Sequence, residues 1–210
     1  MPSRDEELGP LIRRVFLPEE GELWCTVDCS QQEFRLVVHH AAIRNLPGAK
    51  EAVERYRNDP DTDFHKMASA MTGLAREDAK GVNFAKIYGA GVPKFAEMIG
   101  KPFAEAQKVY AQYDQKLPFI SRLAADCQNE ANRLGYTLLY DGARRHWDLW
   151  ATRNYSKGAG PCSLEEARQR IRDPQHPWFN GRLHRVDIHT ALNALIQGSA
   201  ARHTIGASRS

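Results

Sequence analysis

The chain has 210 residues, of which 42% are hydrophobic and 26% charged, values typical of a globular protein with a sizeable core. Twenty-nine Lys and Arg residues against 26 Asp and Glu give a net charge of +3, which permits a nucleic-acid partner without indicating one. The apolar runs are too short for a membrane span, and the polar start MPSRDEELGP is not typical of a signal peptide. Four cysteines lack zinc-site spacing, so we expect reduced thiols in a cytoplasmic protein: Cys25, Cys29, Cys127 and Cys162.

The first predicted strand is ELWCTVD, residues 22–28, because apolar and other side chains alternate there up to Asp28. The preceding residues 1–21 contain a short apolar piece, LIRRVFLPEEG, which ends in a Pro/Gly turn. Ser30 and Glu33 fit a capping box, with Ser30 as the N-cap. The sequence therefore predicts a helix that continues through FRLVVHHAAIRN and stops at residues 46–48.

The next part of the chain is predicted to be a block of helices. Proline and glycine end the segments, since neither residue continues a helix well. The predicted helices are AKEAVERYRN before Asp59-Pro60, DTDFHKMASAMTG up to Gly73, REDAKGVNFAKIYGAG up to Gly89 and Gly91, and residues 101–134 with a break at Pro118.

The last third contains a predicted hairpin, GYTLLYDGARRHWD, with Asp141-Gly142 as its turn. Residues 151–182 are rich in Gly, Pro, Arg and Ser around a short helix, SLEEARQRI, and are predicted to be an excursion outside the core. The final predicted helix is VDIHTALNALIQGSAARHTIGA. This order of elements predicts a helix-rich α/β, or α+β, fold.

Asp28 stands at the end of the predicted strand. A carboxylate held there suits a hard cation such as Mg²⁺, and the backbone carbonyl of Cys29 offers a second oxygen ligand. An aspartate in this position can equally just end a strand or cap a helix, and Asp28 taken alone favours that simpler interpretation. Glu33 is similarly open, either as a capping partner or as the floor of a substrate pocket beside a metal.

The segment REDAKGVNFAKIYG repeats functional residue types every four positions. Arg76, Lys80, Phe84 and Tyr88 wind slowly around one side of the predicted helix, giving two cations followed by two aromatic rings. Cations suit a triphosphate and rings suit a base. The alternative is an amphipathic helix with core aromatics and exposed cations, although a core-facing stripe rarely begins with two charges.

Five segments, in order, resemble those of the family-A, DNA polymerase I-type enzymes. DCSQQEFR resembles Asp-Tyr-Ser-Gln-x-Glu-Leu-Arg, DFHK resembles Asp-x-His-Thr, and REDAKGVNFAKIYG resembles Arg-x-x-x-Lys-x-x-x-Phe-x-x-x-Tyr-Gly. GYTLLYDGARRHWD resembles a Gly-Tyr…Gly-Arg-Arg segment, and ALNALIQGSAA resembles an Asn-x-x-x-Gln-Gly-Thr/Ser-Ala-Ala helix. The short spacing between DFHK and REDAK, and the excursion at 151–182, resemble phage members more than bacterial ones.

The resemblance implies template-directed DNA synthesis by a two-metal mechanism. Asp28 and the Cys29 carbonyl would hold Mg²⁺, and Glu33 would crowd the sugar 2′ position and exclude ribonucleotides.

The same resemblance implies a nucleotide site on the fingers helix. His65, Arg76 and Lys80 would bind the triphosphate, and Lys80 would also be catalytic because it offsets charge build-up in the transition state. Phe84 would pack on the incoming deoxynucleoside triphosphate, and Tyr88 would lie near the template base.

Primer-template DNA is the second implied partner. Arg144 and Arg145 would contact phosphates. Asn193 and Gln197, four apart on one helix, would reach the minor groove, where every base pair presents acceptors.

The resemblance also predicts the organisation of the chain. Residues 1–58 would be the first part of the palm, 59–134 the fingers helices, and 135–210 the second part of the palm, with the 151–182 excursion. The family's thumb and its third motif, His-Asp-Glu on a hairpin, are not found in this sequence. We therefore expect an incomplete palm sheet whose edge a second chain could cover. We also expect a fragment that is inactive alone, with a non-catalytic DNA- or nucleotide-binding remnant of the same fold as the alternative.

Overall fold

The computed structural model describes residues 7–15, 17–23, 28–153 and 159–207. They fall into two compact units, Met1–Ser30 and Gln31–Ser210. None of the described helices is both long and apolar enough to cross a membrane.

The first unit contains a short helix, α1, over Leu8–Arg13, which the sequence analysis did not predict. The predicted Pro/Gly turn follows, with Gly21 in the left-handed region at φ +87° and the Glu22 amide donating to the carbonyl of Glu19. The strand predicted at 22–28 falls mainly on residues 24–27, which lie outside the described residues. Asp28 and Cys29, which follow it, are both exposed.

The second unit is helix-rich with two small antiparallel sheets in its described residues, which confirms the predicted fold class. Its helices are α2 (Gln32–Ile43), α3 (Ala49–Asn58), α4 (Phe64–Thr72), α5 (Arg76–Ile87), α6 (Val92–Ile99), α7 (Phe103–Lys116), α8 (Pro118–Leu134), α9 (Leu164–Arg170) and α10 (Ala191–Ala207). Its strands are β1 (Tyr136–Leu138), β2 (Arg144–His146), β3 (Trp150–Ala151) and β4 (His184–Arg185).

The start of α2 corrects one prediction. The N-cap is Gln31, in the left-handed region at φ 53°, and its side chain makes no capping hydrogen bond. The predicted Ser30 N-cap is therefore wrong by one residue, and Glu33 occupies the second helical position and not the third. By contrast, Asp63 caps α4 as such residues commonly do, accepting bonds from the amides of His65 and Lys66.

Helix α6, Val92–Ile99, was not predicted. Its first turn contains Pro93, and proline is favoured at the start of a helix. The predicted break at Pro118 is confirmed, since α7 ends at Lys116 and α8 begins at Pro118.

The main core lies where α2 packs on its neighbours. Phe34 stacks on Phe64 of α4 with ring centroids 4.6 Å apart, and both rings are buried. Fully burying a side chain of this size contributes about 1.5–3 kcal/mol. The apolar faces of α8 and α10 complete this core with Phe119, Ile120, Leu123, Leu192, Leu195 and Ile196. A second, smaller core of Val82, Phe95, Ile99 and Ala106 joins α6 and α7 to α5.

The predicted hairpin is confirmed. Strands β1 and β2 pair antiparallel, with Thr137 opposite Arg145, and Gly142 supplies the positive φ of the turn. Helix α10 runs close to this hairpin, because a side-chain carbon at Gly198 would lie 3.0 Å from the methyl groups of Leu139. The segment after Asp187 forms a 3-10 turn that leads directly into α10, as expected from VDIH.

The region from 150 to 186 has a hydrophobic core of its own. Its described residues form their own hydrophobic cluster, in which Trp178 is 1% exposed and Cys162 and Ala167 are also buried. Strands β3 and β4 pair antiparallel across it. Residues 151–182 were predicted to be an excursion outside the core, and none of the described residues of this segment belongs to the main core. Its aromatic and aliphatic side chains bury one another instead.

Candidate functional site

Tyr88, which follows the last residue of α5, connects three helices. Its phenol donates a hydrogen bond to Oε2 of Glu33 in α2 at 3.2 Å and accepts one from Nε2 of Gln197 in α10 at 3.3 Å. Burial raises the pKa of Tyr88 to about 12, opposed by the Gln197 hydrogen bond and supported by Glu33, so the phenol stays protonated at neutral pH. Glu33, Tyr88 and Gln197, which the sequence analysis named as candidate binding residues in three separate segments, are therefore in direct contact.

Helices α2 and α10 are held together beside this contact. The side-chain amide of Gln32 lies 3.2 Å from the carbonyl of Ala200 and 3.2 Å from the hydroxyl of Thr204. These bonds fix the first turn of α2, and hence the carboxylate of Glu33, against α10.

The predicted cation-and-ring side of α5 is present. Phe84 and Tyr88 lie nearly parallel, with ring centroids 6.0 Å apart and an interplanar angle of 10°. Nζ of Lys80 lies 5.9 Å from the Phe84 ring centroid, and the Lys80 side chain is exposed. A positive charge, a half-buried ring and a hydrogen-bonding phenol therefore follow one another along α5 and its C-terminal end. We refer to Lys80, Phe84 and Tyr88 as the α5 face.

Arg76 is exposed at the start of α5 and pairs with two acids. Its Nε lies 2.6 Å from Oδ2 of Asp63, and its Nη1 lies 2.7 Å from Oε1 of Glu77. Burial opposes ionisation of Asp63, but the bonds from Arg76 and from the α4 amides outweigh it and hold the pKa of Asp63 below its ordinary value. Arg76 would have to exchange these partners to bind a phosphate.

His65 lies behind this face and not on it. Its side chain is 2% exposed, its Nδ1 lies 2.7 Å from Nδ2 of Asn83, and its ring centroid lies 5.6 Å from that of Phe84. Burial lowers the pKa of His65, with Lys80 and Arg76 acting in the same direction and Asp63 opposing. In this arrangement the neutral ring supports Phe84, and its predicted contact with the triphosphate stays a prediction.

Two buried polar contacts behind α5 were missed by the sequence analysis. Asn83, with no exposed surface, donates to the carbonyl of Phe64 and accepts a bond from the phenol of Tyr113. Lys86 lies 2.9 Å from Asp114, and its ammonium group lies 3.0 Å from the ring centroid of Tyr110. The available signal was the aromatic and acidic spacing in α7, which could have identified a polar partner surface for α5.

The other predicted nucleic-acid contacts are placed as follows. Arg144 and Arg145 are exposed on β2, with guanidinium groups 4.6 Å from the Tyr136 ring and 5.1 Å from the Trp147 ring. Asn193 is half-buried on α10, and its Oδ1 is buried and has no hydrogen-bond partner among the described residues. Gln197 alone of the predicted DNA contacts meets the α5 face, through Tyr88.

The model of the family described as DNA polymerase family A matches residues 1–204. The chain belongs to this family. The recognition from five short segments is thereby confirmed over nearly the whole length of the chain.

Phage and bacterial members are among its relatives. It is 31% identical to a DNA-directed DNA polymerase of Pseudomonas phage M6, over 97% of this chain and 32% of that protein. It is 31% identical to the thermostable DNA polymerase I of Thermus aquaticus, over 66% of this chain and 17% of that protein. The chain therefore spans about a third, or less, of the length of these relatives.

A solved structure shows the same fold. The polymerase domain of Pol1 from M. smegmatis, in complex with a DNA primer-template and dNTP, matches with a TM-score of 0.54 and 22% sequence identity. The match covers 83% of this chain and 26% of that one.

Asp28 and Cys29 were predicted to hold a metal in this family A chain. Among the described residues, no group of three or more His, Cys, Asp or Glu side chains is arranged to hold a metal ion. One carboxylate and one carbonyl are fewer ligands than a two-ion site requires. The described residues therefore do not complete a metal site.

Proposed function

We propose that this chain forms part of a template-directed DNA polymerase and that the exposed side of α5 binds the incoming deoxynucleoside triphosphate. The observation that carries this proposal is the contact of Tyr88 with Glu33 and Gln197. It joins the nucleotide-facing helix to the two segments that the family resemblance assigns to sugar selection and to the minor groove.

Each residue of this face has a chemical role in the proposal. Lys80 provides a mobile cation for the triphosphate, and Phe84 provides a ring for the base or sugar. Glu33, oriented by Tyr88, crowds the 2′ position of the sugar and disfavours ribonucleotides. Tyr88 contributes its neutral ring and hydroxyl to the template side.

Primer-template DNA is the proposed macromolecular partner. Arg144 and Arg145 supply exposed cations for backbone phosphates, which set register without reading sequence. Gln197 and Asn193 supply amides for the minor-groove acceptors that all base pairs share. The Pol1 domain of similar fold is itself bound to a primer-template and dNTP, which supports these partners.

A divalent metal, in our proposal Mg²⁺, is held in part by Asp28 and the Cys29 carbonyl. A divalent ion bound there would supply Lewis-acid stabilisation of negative charge on the reacting oxygens. A further carboxylate is needed, and we propose that another segment or a second chain that completes the palm sheet supplies it. The activity would be exercised in the cytoplasm of a bacterial or phage-infected cell.

Nucleotide binding provides the direct test. Anisotropy of a fluorescent dNTP titrated with the 210-residue chain should show binding that Lys80→Ala weakens roughly tenfold, because one charge-assisted contact is lost. Lys108→Ala, an exposed lysine on α7, is the matched control and should leave the affinity unchanged. If both variants and the unmodified chain bind the fluorescent dNTP with equal affinity, α5 is not the nucleotide site.

Primer extension separates an enzyme from a non-catalytic binding remnant. We expect little extension by the 210-residue chain alone, and recovery when a segment with the family's His-Asp-Glu hairpin is supplied. Asp28→Ala should abolish the recovered synthesis while leaving DNA binding nearly unchanged. Robust synthesis by the chain alone would contradict the split arrangement, and no recovery under any condition would favour the binding remnant.

A further inference from the structure

A polar cleft is lined mainly by residues of the 150–186 region and contains no residue of the α5 face. Its volume is about 740 Å³, within the range of ligand-binding clefts. Six described residues line it, namely Asn132, Trp150, Arg153, Arg182, Leu183 and His184, and we refer to it as the basic cleft.

Trp150, one of the lining residues of the basic cleft, is held in place. It pairs across the β3–β4 ribbon with Arg185, whose guanidinium group lies 4.5 Å from the Trp150 ring centroid. Arg185 also donates to the carbonyls of Trp147 at 2.6 Å and Asn132 at 3.2 Å. The indole is therefore positioned before any ligand arrives, which reduces the ordering cost of binding.

The loop that carries Arg182 is also held in place. A side-chain carbon at Gly181 would lie 2.5 Å from Cγ2 of Thr152 and 2.8 Å from the carbonyl of Trp178, so only glycine fits without a shift. The Gly181 amide donates to that same carbonyl at 2.7 Å, and Trp178 is buried. Arg182 thus projects from a close-packed backbone and not from a free loop.

The lining chemistry selects an anionic ligand with a flat ring. Arg153 and Arg182 are cations, His184 and Asn132 add hydrogen-bonding groups, and none of the six described lining residues carries a carboxylate. Residues 143–187 carry nine Lys and Arg against five Asp and Glu, so the excess charge of the chain is concentrated in this region. Guanidinium groups bind phosphates, and an indole stacks on any base.

The exposure of the charged residues favours a strand over a free nucleotide. Arg153, Arg182 and His184 are all exposed, so they form a solvent-facing rim and do not enclose a small molecule. A positively charged groove with an aromatic platform is the usual arrangement for single strands, since it tracks the backbone and tolerates any sequence.

We propose that the basic cleft binds single-stranded DNA, with phosphates on Arg153 and Arg182 and one base against Trp150. In a polymerase this strand would be the template ahead of the primer, an assignment that rests on the proposed function. The site is separate from the α5 face, so the two can fail independently in experiment.

The test measures anisotropy of a labelled oligothymidylate of about 12 nucleotides bound to the 210-residue chain over a salt series. Arg153→Glu with Arg182→Glu should weaken binding roughly tenfold or more and make the slope of log K against log salt about 1.4 less steep. The charge-matched control is Arg168→Glu with Arg172→Glu, two exposed arginines of the same region outside the cleft, and it should bind nearly as the unmodified chain does. Melting temperatures of both double variants equal to that of the unmodified chain would show that folding is intact.

Two further probes define the outcome. An abasic phosphodiester strand should bind more weakly than oligothymidylate, because stacking on Trp150 is lost.

Equal weakening by both double variants would overturn the proposal in favour of general charge attraction. If free dTTP binds tightly and this binding depends on Arg182, the cleft is a mononucleotide site, and the proposal that it binds a single strand is overturned. Loss of labelled dNTP binding in Lys80→Ala without change in oligothymidylate binding would show that the two sites are distinct.

Discussion

The phenol of Tyr88 donates a hydrogen bond to Oε2 of Glu33 at 3.2 Å, joining the end of α5 to the first turn of α2. The two residues are 55 positions apart. Because α2 is also fixed to α10 by Gln32, the carboxylate of Glu33 has a defined position beside the rings of α5. In the proposed function this carboxylate faces the sugar of the nucleotide, so its orientation should control sugar selection.

Tyr88→Phe tests that control. The ring stays, but the hydrogen bonds to Glu33 and Gln197 are lost, so Glu33 is free to turn away from the sugar. We expect the ratio of dNTP affinity to rNTP affinity to fall several-fold, corresponding to about 1 kcal/mol for the lost hydrogen bond that orients Glu33. Competition of unlabelled nucleotides against a fluorescent dNTP measures it.

The control for this variant is Tyr110→Phe. Tyr110 also loses one hydroxyl hydrogen bond, to the carbonyl of Ala90, but it lies on α7. An unchanged ratio is expected there. If both variants alter the ratio equally, or neither does, Tyr88 does not orient a selective carboxylate.

Asp114→Asn should destabilise the fold strongly. Lys86 has a side chain only 1% exposed, and it lies 2.9 Å from Asp114. Neutralising Asp114 leaves that ammonium group buried without a counter-charge, at a cost of about 3 kcal/mol. Urea unfolding measures the change in the free energy of unfolding. Glu97→Gln removes the partner of Lys94 in an exposed pair and should change stability by less than about 0.5 kcal/mol.

Local signals predicted much of the helical framework. Helix Ala49–Asn58 is found where its sequence predicted it, because a charged amphipathic segment is ended by Pro60. The hairpin is found because Asp141-Gly142 supplies the turn chemistry that short hairpins need. Such signals act within a few residues, so sequence is sufficient to detect them.

The contacts that build the site could not be predicted in the same way. The spacing of α5 placed Tyr88 on the same side as Phe84 but could not pair it with Gln197, 109 residues away. The burial of Lys86 has no local signal, because its partner Asp114 is half-exposed and belongs to another helix, 28 residues away. The left-handed Gln31 that starts α2 has no local signal, since glutamine does not favour that conformation.

The buried amide of Asn83 should be coupled energetically to Tyr113. Asn83 is fully buried and bonds Tyr113, His65 and the carbonyl of Phe64. Asn83→Ala leaves these groups unpaired in the core, and we expect a loss of about 3 kcal/mol in the free energy of unfolding. Tyr113→Phe alone should cost about 1 kcal/mol, and the double variant should cost less than the sum. Additive losses measured in urea would show that the contact contributes nothing.

The stability of the chain should decrease as the pH falls, because His40 is held neutral in the folded state. This side chain is 3% exposed, and burial, assisted by Arg44 and His39, lowers its pKa from 6.5 to about 4. The folded state therefore keeps His40 neutral, while the unfolded chain takes up a proton below pH 6.5. The contribution of His40, up to about 3 kcal/mol, is complete above pH 6.5 and is lost as the pH falls to about 4.

His40→Gln isolates this contribution, because a neutral amide can occupy the position of Nε2, which lies 3.5 Å from the hydroxyl of Ser199. The free energy of unfolding in urea, measured from pH 7 to pH 4, should fall less steeply in this variant than in the unmodified chain. Some dependence should remain, since burial also lowers the pKa of His65. His189→Gln changes an exposed histidine and should leave the slope as it was. An identical pH dependence in the unmodified chain and in His40→Gln would mean that proton uptake by His40 does not drive the acid loss of stability.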